Sequence, residues 1–320
     1  MSPMPPSTNG PSGEPLLAPS FEEFLTWDTL AFPVMPALAA FLAAAYIVGA
    51  TRLWAQGRRW SVIRTVCFLL GCALLLIVTG TRIDAYGLRM LSVFIFQQLT
   101  LMMVIPPLFI LGSPGTLLLR ATPHRFGGKI VLRAALFGLR SRVGRAALHP
   151  ALVVPLMILS LFGLYLGGVA NIFLASWLGH IALEVGFLIV GVVVATPLVS
   201  GDPLPRRTSF VARIFDAVVE MQLHAAFALV LIFASTALIP FFNSPPPGLG
   251  VDPLQDQRLA GTLVWTYGEL PVVLILIITL VRWQRQDTVR AARASKRADA
   301  EGDPDLDGYN DYLQSLQSRR

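Results

Sequence analysis

Apolar residues occur along this chain in long blocks that short polar segments separate. The blocks lie near 31–53, 61–81, 88–112, 150–170, 173–199, 213–239 and 261–283. Helices of about twenty apolar residues are long enough to cross a hydrocarbon core of about 30 Å. The pattern therefore predicts an all-α fold: a polytopic transmembrane helical bundle of about seven spans.

The third block contains polar and helix-breaking residues that a simple anchor helix does not need. Two glutamines, two methionines and two prolines follow one another, and a glycine and a third proline end the block (Gln97, Gln98, Met102, Met103, Pro106, Pro107, Gly112 and Pro114). An amide is unfavourable in hydrocarbon unless it is hydrogen-bonded, so we expect both glutamines to face other helices. Proline removes a backbone donor, so we expect a kink at Pro106. The block is either part of a site or a kinked packing helix.

The basic residues of the chain fall in alternate connections between the blocks. Four of these regions are rich in arginine or lysine: 52–64, 120–145, 206–207 and 282–297. Basic loops stay on the cytoplasmic side, so the N-terminus is predicted outside and the C-terminus in the cytoplasm. We predict a disordered extracytoplasmic tail over 1–28, a transmembrane domain over 29–285 with a basic cytoplasmic loop at about 115–148, and a flexible cytoplasmic tail over 286–320.

Composition agrees with a membrane protein and excludes other classes. The chain is 54% hydrophobic and 14% charged, whereas soluble domains carry roughly 25% charged residues. The excess of 25 Lys+Arg over 19 Asp+Glu follows from loop placement, and no nucleic-acid-binding module is recognisable. Cys67 and Cys72 lie in an apolar block, so they are expected to act as small hydrophobic residues rather than as a disulfide framework.

Ionisable residues at membrane depth are costly and are therefore functional candidates. His180 and Glu184 share one face of the fifth block, His224 lies near the middle of the sixth, and Glu269 lies in the seventh. The candidates for a transient copper site are His180, Glu184 and His224 with Met102 and Met103, because imidazole and thioether are good copper ligands. An interhelical hydrogen-bond network and a proton-coupled transporter remain open as alternative interpretations.

The ends of the blocks have structural explanations. His149 precedes Pro150 at the start of the fourth block and is expected to mark a helix start. Asp256, followed by Gln257, is expected to cap the seventh helix, and Trp265 to anchor it at headgroup level.

Several stretches together resemble the CtaG family of bacterial cytochrome c oxidase assembly factors. The resemblance covers roughly residues 90–285 and rests on the run Gln97 to Pro114, the pair His149-Pro150, His180, the GDPLP run at 201–205, His224, and the pattern DQxxAGxxxWxxGELP from Asp256 to Pro271. Each piece alone is weak, but their order is fairly specific.

The resemblance implies a seven-span protein of the bacterial plasma membrane that helps mature the respiratory haem-copper oxidase. It would act as a metallochaperone and not as an enzyme. Its partner would be the catalytic subunit of the oxidase, to whose CuB centre it would deliver copper. The bilayer is the other partner, and no nucleic acid is implied.

This sequence departs from the family pattern at two places. Family members carry histidines in the third span, where this chain has Phe94 and Gln98, and a second histidine after His180 is replaced in the region of Glu184. Either Glu184, His224 and the two methionines compensate, or the chain is a divergent relative that assists assembly as a structural subunit without holding copper. A membrane copper transporter is the other alternative.

Overall fold

The computed structural model describes residues 17–28, 33–123, 128–130, 132–133, 137, 146, 150–199, 210–301 and 304–318. It divides into two compact units, Met1–Ile275 and Leu276–Arg320. The predicted loop at 115–148 lies mostly outside the described residues, and so do His149 and the GDPLP run at 201–205.

Most of the described residues are helical and they form no strand, which confirms the predicted all-α fold. The helices are α1 Phe21–Leu25, α2 Val34–Ala55, α3 Val62–Gly80, α4 Arg82–Gly87, α5 Leu91–Leu99, α6 Ile105–Leu111, α7 Pro114–Ala121, α8 Pro150–Ile158, α9 Leu164–Leu166, α10 Val169–Leu174, α11 Trp177–Val199, α12 Phe210–Phe233, α13 Pro253–Thr266, α14 Glu269–Glu301 and α15 Pro304–Gln317. Short 3₁₀ turns lie at Pro240–Phe242 and Pro247–Leu249.

Six helical stretches in the described part of the chain are long and apolar enough to cross a membrane: Val34–Ala55, Val62–Gly80, Leu91–Ala121, Trp177–Val199, Val211–Phe233 and Pro253–Arg293. The predicted span at 150–170 corresponds to a shorter apolar helix, Val154–Leu166. A π-helical turn at Leu159–Gly163 interrupts it, and Gly168 ends it in the left-handed conformation with φ of 71°. The multi-pass bundle is therefore confirmed, with one span shorter than the pattern predicted.

The third span, Leu91–Ala121, is the central helix of the first unit. In its most apolar stretch 78% of residues are buried, against 22–44% in the other five spans. A π-helical turn at Thr100–Val104 separates α5 from α6, and Pro106 stands in the first turn of α6. Proline cannot donate to the preceding turn, so the helix changes its hydrogen-bonding pattern there. The break expected at Pro106 is thus a π-helical turn.

Helix α11 approaches the backbone of this π-helical turn closely. A Cβ atom added to Gly191 would lie 2.2 Å from the carbonyl oxygen of Met102 and 2.6 Å from Cγ of Pro106. Glycine is the residue that permits such an approach of two helices. The contact packs the C-terminal half of α11 against the middle of the third span.

The end of the third span follows the predicted break. Gly112 ends α6, and Ser113 adopts a left-handed conformation with φ of 50° before Pro114 starts α7. The hydroxyl of Tyr46 in α2 donates to the carbonyl of Gly112 at 2.7 Å. This bond ties the first span to the end of the third.

Residues 17–28 are folded onto α4, which differs from the disordered tail predicted over 1–28. The hydroxyl of Tyr86 donates to the Leu17 carbonyl at 2.9 Å, and the amide of Arg82 donates to the Thr26 carbonyl at 2.9 Å. Arg82 also forms an ion pair with Glu23. Tyr86 anchors the segment, because its ring is fully buried and packs edge-to-face on Phe24. Residues 1–16 lie outside the described residues.

Asp256 and Gln257 each cap a neighbouring span, so the prediction that Asp256 caps its own helix is wrong. The α13 cap is Asp252, whose carboxylate accepts from the Gln255 amide at 2.8 Å. The Asp256 carboxylate instead accepts from the Leu91 amide at 2.6 Å and from Ser92, at the start of α5. A helix N-terminus has free amides that favour an anion, and the buried carboxylate supplies it.

Gln257 closes the other end of a neighbouring helix. Its amide nitrogen donates to the Leu231 carbonyl at 3.2 Å, and its oxygen accepts from the Leu238 amide at 2.6 Å. These groups lie at and beyond the C-terminal end of α12, where carbonyls lack helical partners. The pair Asp256-Gln257 therefore fastens α13 to both α5 and α12.

The second unit, Leu276–Arg320, contains most of α14 and all of α15. Helix α15 presents Tyr309, Tyr312, Leu313 and Leu316 as exposed side chains. Part of the segment predicted as a flexible tail is thus helical, whereas the boundaries predicted at residues 28 and 285 stay predictions.

Candidate functional site

Three ionisable side chains converge where α4 meets α11. The ligand atoms of Asp84, His180 and Glu184 all lie within 4.8 Å of one another. His180 Nε2 is 2.8 Å from Asp84 Oδ1 and 3.9 Å from Glu184 Oε1. All three side chains are buried, with exposures of 6% or less. We call these three residues the Asp84 cluster.

Local structure explains why the three side chains meet. His180 and Glu184 are four residues apart in α11 and so share one helix face. Asp84 lies in α4, which Thr81 starts by accepting a hydrogen bond from the Ile83 amide at 3.4 Å. Because every residue from Ile83 to Gly87 is buried, this short helix between the second and third spans carries Asp84 into the interior.

Gln97 of the third span joins the cluster from a third helix. Its amide nitrogen lies 2.8 Å from Asp84 Oδ1, 3.0 Å from Glu184 Oε1 and 3.0 Å from the Val78 carbonyl. The two carboxylates thus share one amide donor. Gln98 points elsewhere: it accepts from the Tyr165 hydroxyl and donates to the Ser160 carbonyl at 3.3 Å. The prediction that both glutamines face other helices is confirmed.

The surroundings of Asp84 favour its charged form. Burial raises the cost of ionisation, but the neighbouring His180 ring and the hydrogen bond from Gln97 outweigh it, so the pKa of Asp84 lies below its usual value. The other ring nitrogen of His180, Nδ1, is buried and has no hydrogen-bond partner in the described part of the chain. A buried nitrogen without a partner requires an explanation, such as a ligand or a water molecule.

His224 is not a member of the Asp84 cluster. It is fully buried in α12, and its Nδ1 donates to the Glu220 carbonyl at 2.9 Å. Its Nε2 is buried without a hydrogen-bond partner among the described residues. His224 therefore has a fixed ring orientation, but the structure does not bring its ring together with His180 and Glu184.

The remaining predicted site residues lie at other places in the bundle. Met102 and Met103 are buried in the π-helical turn of the third span. Glu269 begins α14, and its Oε2 is buried without a hydrogen-bond partner among the described residues. The partner of His180 in the described part of the chain is Asp84 rather than Glu269. Trp265 is 46% exposed, as a headgroup anchor would be.

Phe94, one of the two positions at which the sequence departs from the family pattern of the resemblance, lies beside the cluster. Its ring centroid is 6.4 Å from that of His180, and it also packs against Tyr165, Phe187 and Phe242. The side of His180 that faces Phe94 is therefore apolar.

Sequence analysis missed Asp84, although it is central to the site. The residue stands two positions after Arg82, in the short connection between the second and third apolar blocks. The available signal was its apolar neighbourhood, because Ile83, Ala85 and Tyr86 surround it. An aspartate within such a stretch is expected to have a buried partner.

The cluster has the composition of a cation site. Two carboxylates and one imidazole supply oxygen and nitrogen ligands, which suit divalent transition metals. The same groups with Gln97 also form a satisfied interhelical network, the other function that buried polar groups serve.

The family model described as cytochrome c oxidase caa3 assembly factor matches residues 44–286. Uncharacterised proteins of Mycobacterium bovis and Mycobacterium tuberculosis are each 32% identical over 288 residues, and one of Mycobacterium leprae is 31% identical over 290 residues. The matches cover 89% of this chain but 44% of each relative, so the chain spans less than half the length of the curated relatives it matches. No solved structure matches the chain.

Proposed function

Because this chain belongs to the family of cytochrome c oxidase caa3 assembly factors, we propose that it assists delivery of copper to the CuB centre of a haem-copper oxidase. Its partner is then the catalytic subunit of that oxidase, and the bilayer in question is the bacterial plasma membrane. The protein acts as a metallochaperone, by holding and releasing an ion, and not as an enzyme.

The observation that carries the proposal is the buried Asp84 cluster on α4 and α11. A chaperone needs a site that binds its cargo and then releases it to a partner. Three ligands leave coordination positions open for an incoming ligand, as catalytic metal sites also do. In this chain the binding residues are Asp84, His180 and Glu184, whereas His224, Met102 and Met103 belong to other regions of the bundle.

A second candidate is a structural assembly subunit that holds no metal. Two contacts favour it: Gln97 donates to both carboxylates of the cluster, and the apolar ring of Phe94 lies beside His180. In this role the polar network would fix the relative positions of α4, α5 and α11, and its residues would matter for stability alone.

The test is the copper-to-haem ratio of the oxidase purified from a strain that lacks this gene. We expect the haems to be present and the copper to be depleted. The control is the same strain complemented with the wild-type gene. Oxidase with a normal ratio at normal yield would overturn the proposal, and low yield at a normal ratio would favour the structural subunit.

A further inference from the structure

We propose that the Asp84 cluster binds copper as Cu(II) rather than as Cu(I). This inference rests on the proposed function, since it specifies the oxidation state of the cargo at the same site. It also adds Asp84, a residue that the motifs of the resemblance do not include, to the ligand set.

The ligand atoms favour the cupric ion. Thiolate and thioether ligands select Cu(I), whereas imidazole with carboxylate suits divalent ions, among which Cu(II) forms the most stable complexes. The atoms that converge are two carboxylate groups and one imidazole nitrogen. None of the three is a sulfur atom, and the two methionines expected from the sequence to contribute lie in the π-helical turn Thr100–Val104.

The polar contacts around the cluster mark the position of the ion. The amide nitrogen of Gln97 stands within 3.0 Å of an oxygen from each carboxylate, so a partial positive charge already occupies the point where they converge. His180 Nε2 faces the same carboxylates, and its Nδ1 has no hydrogen-bond partner among the described residues. Nε2 would exchange its contact with Asp84 for the ion, since a metal-ligating imidazole nitrogen must give up its proton.

The experiment titrates the purified full chain in detergent with Cu(II), and separately with Cu(I) under anaerobic reducing conditions, against competing chelators of known affinity. We expect one tightly bound Cu(II) per chain, with an electron paramagnetic resonance spectrum that shows coupling to a single imidazole. Asp84→Asn and Glu184→Gln should each weaken Cu(II) binding by about tenfold or more, as losses of metal-site groups do. Met102→Leu, outside the cluster, should leave the affinity unchanged.

Three results would overturn the inference: tighter binding of Cu(I) than of Cu(II), loss of binding in Met102→Leu, and no binding of either ion. If a variant fails to fold, the titration of the wild-type chain still tests the inference. The proposed function is tested separately. It predicts copper-depleted oxidase in the deletion strain, whichever oxidation state of copper the chaperone binds. Cu(II) binding together with a normal oxidase would contradict the function and leave the inference standing.

Discussion

At the scale of single residues, a few side chains hold separate helices together through buried polar contacts. Asp84, Gln97 and Asp256 are examples, and each reaches from one helix to another. Their sequence neighbours gave little indication of their partners, because the contacts of Asp256 lie more than 160 positions away. Helical spacing correctly placed His180 and Glu184 on one face, whereas a long-range partner such as Asp84 requires the packed structure.

Asp256→Ala should lower the free energy of unfolding by about 1–3 kcal/mol, because it leaves the buried amides of Leu91 and Ser92 without an acceptor. Asp256→Asn should lower the free energy of unfolding by less than Asp256→Ala does, since asparagine keeps an acceptor oxygen. The measurement is thermal or denaturant unfolding in detergent. The matched control is Asp252→Ala, which removes the exposed cap of α13. Its loss of unfolding free energy should be smaller than that of Asp256→Ala. Equal stability of Asp256→Ala and the wild type would contradict this cap.

Phe94→His should strengthen copper binding by about tenfold or more, equivalent to about 1.4 kcal/mol. The substitution places a second imidazole beside His180, whose ring centroid lies 6.4 Å from that of Phe94. Phe96→His is the control, because Phe96 packs instead on Tyr267, with ring centroids 5.2 Å apart. Copper titration of the two purified variants measures the difference. Equal affinities would show that position 94 does not face the site.

At the scale of elements, the apolar blocks predicted most helices correctly because a membrane span is a long, uniform pattern. Interruptions within spans were harder to predict. Pro106 indicated a break in the third span, but the π-helical turn at Thr100–Val104 begins before the proline, since the missing donor disturbs the preceding turn. The fourth span was predicted too long, because its apolar composition continues across a π-helical turn and the left-handed Gly168.

Gly191→Ala should disrupt the packing of α11 on the third span. Its new Cβ would lie 2.2 Å from the backbone oxygen of Met102, so a helix must shift, and overpacking of this kind costs about 1–3 kcal/mol or more. Gly186→Ala in the same helix is the matched control, because no atom lies within 4 Å of its Cβ position. Gly186→Ala should leave the free energy of unfolding unchanged or raise it by up to about 1 kcal/mol.

The heat stability of the two glycine variants, followed by size-exclusion chromatography in detergent, tests this helix contact. We expect a lower midpoint temperature of thermal denaturation for Gly191→Ala, and an unchanged one for Gly186→Ala. Two equal midpoints would mean that α11 does not approach the third span as closely as the structure indicates.

At the scale of the whole molecule, the chain is a multi-pass bundle in which the third span is the most buried. Its orientation remains a prediction from the distribution of arginine and lysine. In a background with Cys67 and Cys72 replaced by alanine, a cysteine at Ser20 should react in whole cells with a membrane-impermeant maleimide. A cysteine at Ser315 should react only after the cells are opened. The reverse pattern would invert the topology.

The central claim is that the Asp84 cluster supplies copper to the oxidase, and one measurement tests it most directly. A strain lacking the gene is complemented with His180→Gln, and the copper-to-haem ratio of its purified oxidase is compared with that from His224→Gln, with both variants present at wild-type amounts in the membrane. Since His224 lies outside the cluster, we predict copper-depleted oxidase with His180→Gln and a nearly normal ratio with His224→Gln. A normal ratio with His180→Gln would contradict the account.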